Sequence, residues 1–88
     1  MNRPYHVSVL APAARDLARL DKPIAQRIVR RLEWLASNLD DIHPEALKGT
    51  LSDFFKLRIG DYRVIYEIIK DERQIIIHCI GHRREIYR

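Results

Sequence analysis

The chain has 88 residues, a net charge of +4 and a single cysteine. This length leaves room for one hydrophobic core, so we expect one domain over residues 1–88. No apolar run approaches the roughly 20 residues that span a membrane, and the first residues, MNRPYHVSVLAPAARD, lack the apolar segment of a signal peptide. We therefore predict a cytoplasmic protein that does not associate with membranes.

The first part of the chain predicts one strand followed by two helices. Residues 5–10 (YHVSVL) alternate as a strand does, and Pro12 suits the first turn of a helix. Asp21 is a suitable N-cap for a second helix. Its apolar residues recur at the spacing of one helical face: Ile24, Ile28, Leu32, Leu35 and Leu39. Because the link between the helices is short, we expect an antiparallel helical hairpin.

The second part predicts three strands. After a polar loop, NLDDIHPEALKGT, the segments FFKLRI and YRVIYEIIK flank Gly60 and Asp61 as the two arms of a hairpin. QIIIHCI is apolar on both faces, which is typical of a central strand covered on both sides. The order β-α-α-β-β-β predicts an α+β fold, in which an antiparallel-rich four-stranded sheet carries the helical hairpin on one face. We expect the first strand beside the last.

The single cysteine and the histidines do not predict a metal site. Cys79 lies in the apolar run QIIIHCIG and is expected to be a buried small side chain. His78 and His82 are four residues apart, a spacing that aligns ligands on a helix but not on a strand. We therefore predict no metal and no cofactor.

The predicted hairpin carries cations on one of its faces. Strand side chains alternate, so Leu57 and Ile59 share the face expected to pack on the helices. The opposite face carries three cations: Lys56, Arg58 and Arg63. Glu67 is the carboxylate of the hairpin on that face. Crowded cations repel unless carboxylates or a polyanion neutralise them, so this face is either an ordinary solvated surface or a site for nucleic-acid phosphates.

The last segment, GHRREIYR, favours the phosphate site. Arg83, Arg84 and Tyr87 follow the last strand, and they come near the hairpin's cations if that strand lies beside YRVIYEI. Cations stabilise the negative charge that develops during phosphodiester cleavage. A tyrosine can orient or deprotonate the attacking hydroxyl, although Tyr87 can equally be an apolar anchor against the core.

The segments LKGTLSDFFKLRIGDYRVIYEI and IGHRREIY together resemble the RelE/ParE superfamily of type II toxin–antitoxin toxins, and more closely its RelE-like branch. The resemblance implies a toxin that cleaves mRNA in the ribosomal A site by metal-independent attack of a ribose 2′-hydroxyl, which inhibits translation. It implies a cognate antitoxin, the mRNA and the ribosomal RNA as partners, with operator DNA bound only together with the antitoxin. The free toxin is expected to be a monomer.

The resemblance also implies roles for individual residues. Lys56 corresponds to a lysine that stabilises charge at the scissile phosphate, Arg63 to an arginine that grips the phosphate, and Arg83 to one that stabilises or protonates the leaving oxygen. Tyr87 corresponds to the family's C-terminal tyrosine. Three further residues are predicted to bind RNA: Arg58, His82 and Arg84. His82 is also a candidate acid or base, since an unperturbed imidazole titrates near neutrality.

Two alternatives share the predicted fold. One is a ParE-like toxin that poisons DNA gyrase without nuclease activity, and the combination of Lys56, Arg83 and Tyr87 argues against it because a gyrase binder does not need them. The other is a degenerate relative that only binds its antitoxin. Phe54 favours this second alternative, since the best-known RelE proteins carry a lysine there.

Overall fold

The computed structural model describes residues 3–49 and 53–86. In chain order the elements are β1 (His6–Val9), α1 (Ala11–Arg19), α2 (Lys22–Asn38), β2 (Glu45–Ala46), β3 (Phe55–Ile59), β4 (Tyr62–Ile69), β5 (Gln74–His82) and α3 (Arg83–Ile86). Single-turn 3-10 helices occupy Leu39–Asp41 and Lys70–Glu72. The predicted α+β class is confirmed, with two short additions, β2 and α3. Among the described residues, no helix combines the length and apolar character needed to cross a bilayer.

The strands form one mixed sheet with the order β1-β5-β4-β3-β2. β1 is parallel to β5 and the other neighbours are antiparallel, so the predicted pairing of the first and last strands is confirmed. The predicted count of four strands is wrong by one. Glu45 and Ala46 pair with Lys56 and Phe55 at the sheet edge, in a segment that the sequence predicts as a loop because so short a strand has no alternation.

The core lies between the helices and one face of the sheet. α2 begins after Asp21 as predicted, although the Asp21 side chain makes no capping hydrogen bond. α2 buries Ile28, Leu32 and Leu35 on the predicted face. They meet the buried strand residues Leu57, Ile59, Val64, Tyr66, Ile75, Ile77 and Ile80. Burial of each such aliphatic side chain stabilises the fold by about 1.5–3 kcal/mol. This packing leaves the opposite face of the sheet, here called the open face, for other roles.

A bulge in β5 changes which of its side chains reach the core. The β4–β5 register shifts between Ile65 and Tyr66, which leaves His78 as an extra residue in β5. Ile77 and Ile80 therefore both join the core although they are three residues apart. Strict alternation does not predict this arrangement.

The prediction that Cys79 is buried is wrong, because the residue after the bulge is exposed. Partial burial and the nearby Asp16 carboxylate raise the pKa of the Cys79 thiol above its ordinary value. The thiol is therefore mostly protonated at neutral pH and is a weak nucleophile.

Candidate nucleic-acid interface

The predicted cations of the hairpin lie on the open face. Lys56 and Arg58 flank Leu57, which is part of the core, so their side chains leave the sheet on the other side. Arg63 stands directly opposite Arg58 in the β3–β4 register. The structure thus brings three cations of adjacent strands onto one face, as the alternation predicts.

A carboxylate from the edge strand sits between two of these cations. Oε2 of Glu45 lies 3.2 Å from Nζ of Lys56 and 3.4 Å from Nη2 of Arg58. β2 produces this contact by placing Glu45 opposite Lys56. Glu67, the carboxylate of the hairpin that the alternation places on this face, pairs with His78 instead: its Oε1 lies 3.0 Å from Nε2 of His78. Glu45 is the site residue that the sequence does not reveal, since its two-residue strand shows no periodicity.

Arg63 does not project freely into solvent. It is only 9% exposed, and its Nη1 donates hydrogen bonds of 2.9 Å to the carbonyl oxygens of Gly60 and Tyr62. Like charges directly opposite on paired strands repel, and Arg58 and Arg63 turn apart: Arg58 towards Glu45, and Arg63 towards the β3–β4 turn. The expectation that Arg63 projects from the open face is therefore wrong: its guanidinium lies against the end of the sheet.

The Arg63 guanidinium has no counter-charge among the described residues. Its Nε is buried without a hydrogen-bond partner, and within residues 3–49 and 53–86 no carboxylate pairs with it. Nη1 is committed to the turn, which leaves Nη2 as the nitrogen that reaches solvent. A partly buried charge attracts an anion more strongly than a solvated one does, because less water screens it.

The end of β5 is fixed to the same turn. The backbone N–H of Arg83 donates a 2.8 Å hydrogen bond to the carbonyl of Asp61, and the rings of Tyr62 and His82 meet edge to face with centroids 5.6 Å apart. The backbone N–H of Arg84 donates to Nδ1 of His82 at 3.2 Å. Accepting this bond requires Nδ1 to be unprotonated, so in the neutral ring the proton lies on Nε2.

These contacts gather Arg63, His82, Arg83 and Arg84 around the β3–β4 turn, whereas Lys56 and Arg58 lie along β3 beside Glu45. Arg83 and Arg84 are exposed and begin α3 beside the turn that holds Arg63. Phe54 packs edge to face on His78 with ring centroids 4.9 Å apart, so it has a packing role on this face. Tyr87 lies outside the described residues. No group of three metal-ligating His, Cys, Asp or Glu residues is found in the described part of the chain.

The chain matches known proteins over nearly its whole length. A family model described as ParE toxin of the type II toxin–antitoxin system parDE matches residues 7–87. Toxin RelE of Mycobacterium tuberculosis is 36% identical over 87 residues, which cover 99% of this chain and 90% of that protein. The chain therefore belongs to the ParE toxin family and, with its RelE relatives, to the RelE/ParE superfamily.

Solved structures agree with this assignment. The toxin–antitoxin complex RelBE2 of Mycobacterium tuberculosis contains a chain that matches with a TM-score of 0.83 and 26% identity, over 93% of this chain and 94% of that chain. The archaeal RelE–RelB complex of Pyrococcus horikoshii matches with a TM-score of 0.75 and 26% identity, over 92% and 97% of the two chains. The isolated RelE toxin of Escherichia coli, at 18% identity and a TM-score of 0.72, shares the fold.

Proposed function

We propose that this toxin is a ribosome-dependent endoribonuclease that cleaves mRNA in the A site and thereby stops translation. The observation that carries the proposal is the uncompensated guanidinium of Arg63, held at the turn to which Arg83 is also bonded. An ordinary solvated sheet face does not require a buried arginine that lacks a carboxylate partner. A phosphate supplies the missing negative charge.

The chemistry follows from the residues around this turn. The ribose 2′-hydroxyl attacks the adjacent phosphorus, and the P–O5′ bond breaks. The products are a 2′,3′-cyclic phosphate and a 5′-hydroxyl end. Arg63 and Lys56 stabilise the charge that builds up on the phosphate oxygens, and Arg83 stabilises the leaving 5′-oxygen. Because side-chain cations supply this charge, we expect the reaction to need no metal ion.

Two groups near the cations are suited to move protons. The carboxylate of Glu45, beside Lys56, can accept the proton of the 2′-hydroxyl. His82, when both of its ring nitrogens are protonated, can give the Nε2 proton to the leaving oxygen and return to the neutral ring. Tyr87 is the remaining candidate for either step, and Arg58 and Arg84 are exposed cations positioned to contact the RNA backbone.

The partners follow from the same proposal. The structural neighbours include toxin–antitoxin complexes, and we infer that a cognate antitoxin covers the open face and neutralises its charge. The free toxin is a monomer acting in the cytoplasm on ribosome-bound mRNA, and it meets operator DNA only when bound to the antitoxin. A basic face suits RNA and an acidic antitoxin segment equally well.

The proposal is tested in a translating extract by mapping new mRNA 5′ ends after the purified toxin is added. Cleavage confined to ribosome-bound messages, with 5′-hydroxyl products, supports it. Arg83→Ala should abolish most cleavage, whereas Arg30→Ala, an exposed arginine of α2 on the other side of the sheet, should cleave like the wild type. Intact mRNA in every reaction with folded toxin overturns the proposal.

Gyrase poisoning is the second candidate, and the description of the matching family model favours it. It predicts intact mRNA together with gyrase-dependent DNA breaks or loss of supercoiling. A supercoiling assay run beside the translation assay separates the two functions, because the fold alone is compatible with both.

A further inference from the structure

The open face of the sheet has two halves of different chemistry. Towards the β3–β4 turn it carries the cations Arg58 and Arg63, which stand opposite each other. The half away from the turn presents four apolar or aromatic side chains: Phe54, Ile65, Ile76 and His78. Lys56 stands at the border between the halves, opposite Ile65. The catalytic roles proposed above use the cations and leave the aromatic half without a function.

The burial of Ile65 shows that the second half has an apolar layer of its own. Ile65 is 8% exposed, yet it does not belong to the core cluster between the sheet and the helices. Its partners across the sheet are Lys56 in β3 and Cys79 in β5. Side chains of the open face therefore screen Ile65 from water.

The rings of Phe54 and His78 form an aromatic pair on this half. They meet edge to face, with an interplanar angle of 90° and centroids 4.9 Å apart. The bulge in β5 brings His78 to this position, and Oε1 of Glu67, 3.0 Å from Nε2 of His78, holds the imidazole in place. Both rings are partly exposed. A pair that is already ordered loses little side-chain freedom when a ligand binds, so it is a preorganised surface.

We propose that Phe54 and His78 are a stacking platform for one nucleobase of the RNA, and the proposal rests on the proposed function because it takes RNA as the ligand. A nucleotide joins a charged phosphate to a flat base. The open face offers the matching order, with cations near the turn and aromatic rings away from it. Aromatic side chains stack the bases of single-stranded RNA, and every base has a face that can stack.

The spacing along the chain suits a single nucleotide. Lys56 follows Phe54 by two residues, which is about 7 Å of extended chain. A phosphate beside Lys56 therefore has its own base within reach of the two rings. The Glu67–His78 pair is negative or neutral, according to whether His78 is protonated, so it offers no net positive charge to a phosphate. The nucleotide is thus oriented with its phosphate towards Lys56 and its base towards Phe54.

The test measures how tightly the isolated toxin binds a short RNA whose 2′-hydroxyls are methylated and from which one base at a time is removed. The number of phosphates stays the same throughout, so a loss of affinity reports on the missing base. We expect the removal of one particular base to weaken binding by about fivefold or more. Equal affinity for the intact RNA and every abasic RNA, or no binding of the intact RNA at low salt, overturns the proposal.

Matched variants assign the sensitive base to the platform. Phe54→Leu keeps an apolar side chain on this half and removes the ring, so it should bind the intact and the abasic RNA alike. Phe54→Trp keeps an aromatic ring and should still lose affinity when the base is removed. Trp34→Leu changes an exposed aromatic residue of α2, on the helix side, and should behave like the wild type. If Phe54→Leu retains the full dependence on the base, the assignment is wrong.

The two phenylalanines provide an internal control without any substitution. Phe54 and Phe55 are the phenylalanines of the chain, and Phe55 points to the other face, where its ring lies 5.7 Å from that of Tyr66. With 4-fluorophenylalanine at both positions, the intact RNA should shift the ¹⁹F signal of Phe54, and the RNA that lacks the sensitive base should not. The Phe55 signal should stay in place. A Phe54 signal that moves with antitoxin and with no RNA would mark a protein-binding surface and overturn the proposal.

Binding and cleavage are measured separately, so the failure of the platform and that of the nuclease are distinguishable. Base-dependent binding by a toxin that cleaves no mRNA leaves the platform standing and removes the nuclease. Cleavage of ribosome-bound mRNA by a toxin whose RNA binding depends on no base does the reverse.

Discussion

Arg63 and Arg73 lie near opposite ends of β4, and each has a buried Nε without a hydrogen-bond partner. Their other contacts differ. Nη2 of Arg73 donates to Oδ2 of Asp40 at 3.0 Å and to the carbonyl of Arg3, and its guanidinium stacks 4.3 Å from the centre of the Tyr5 ring. Among the described residues, Arg63 hydrogen-bonds to the neutral carbonyl oxygens of Gly60 and Tyr62.

The difference shows how one residue type serves two purposes in a small fold. Asp40 neutralises Arg73 and also accepts a hydrogen bond of 3.1 Å from the Tyr5 hydroxyl, so the cluster ties β1 and the turn after α2 to the β4–β5 turn. In this cluster, called here the Tyr5–Asp40–Arg73 clamp, the charges of Asp40 and Arg73 cancel. Arg63 lacks a carboxylate among the described residues and stays open to an anion, as functional sites often do at some cost in stability.

The largest expected effect is on catalysis. Arg63→Met keeps an apolar stem of similar length and removes the charge, and we expect single-turnover cleavage of ribosome-bound mRNA to fall by about 10²-fold or more. Arg73→Met removes the corresponding charge at the other turn and should cleave within about twofold of the wild type at a temperature where it is folded. Equal losses in both variants would remove the distinction between the two arginines.

Thermal unfolding should show the opposite order. Arg73→Met leaves Asp40 without its cation and takes the stacking partner from Tyr5, so we expect the unfolding midpoint to fall by about 5 °C or more. Arg63→Met removes a buried charge that has no counter-charge, and its midpoint should stay near or above the wild-type value. A larger fall for Arg63→Met than for Arg73→Met contradicts the proposed roles.

Acid should weaken the clamp through Asp40. The hydrogen bond from Arg73 holds the pKa of Asp40 below its ordinary value of 3.8. A lowered folded-state pKa stabilises the fold above the unfolded pKa, and this contribution disappears as the pH falls through the folded-state value. We expect Asp40→Asn to be less stable than the wild type at pH 7 and the difference to shrink below about pH 4. Urea unfolding at several pH values measures it, and a difference that grows in acid would refute the clamp.

The smallest effect is expected on RNA binding, at Glu45, which is half-exposed beside Lys56 and Arg58. Glu45→Gln removes a negative charge beside these cations, so we expect a non-cleavable RNA to bind a few-fold more tightly at low salt, with a steeper salt dependence. Glu33→Gln, on the exposed side of α2, should change neither quantity. Unchanged affinity and salt slope in Glu45→Gln would mean that Glu45 does not modulate the cationic face.

The Arg63 half of this comparison was predictable from the sequence, because side chains alternate between the faces of β3 and β4 on either side of Gly60 and Asp61, whereas no pattern singled out Arg73. Alternation assigns Arg63 to the open face, but it does not specify where a long side chain turns. Arg63 lies against the turn through its hydrogen bonds to the carbonyls of Gly60 and Tyr62. Glu45 was not predictable because its edge strand exists only through pairing with β3. The exposure of Cys79 depends on a bulge that breaks the two-residue period.

The most direct test of the central claim is to follow both arginine side chains by NMR while the ¹⁵N-arginine-labelled toxin is titrated with a short RNA whose 2′-hydroxyls are methylated. Each Nε lies within the fold without a partner, so its N–H reports on what its guanidinium meets. We predict a saturable shift of the Arg63 Nε–H signal that weakens with salt, and no shift for Arg73. If the Arg63 Nε–H signal does not shift under saturating RNA, the claim that the Arg63 guanidinium binds a phosphate of the RNA is contradicted.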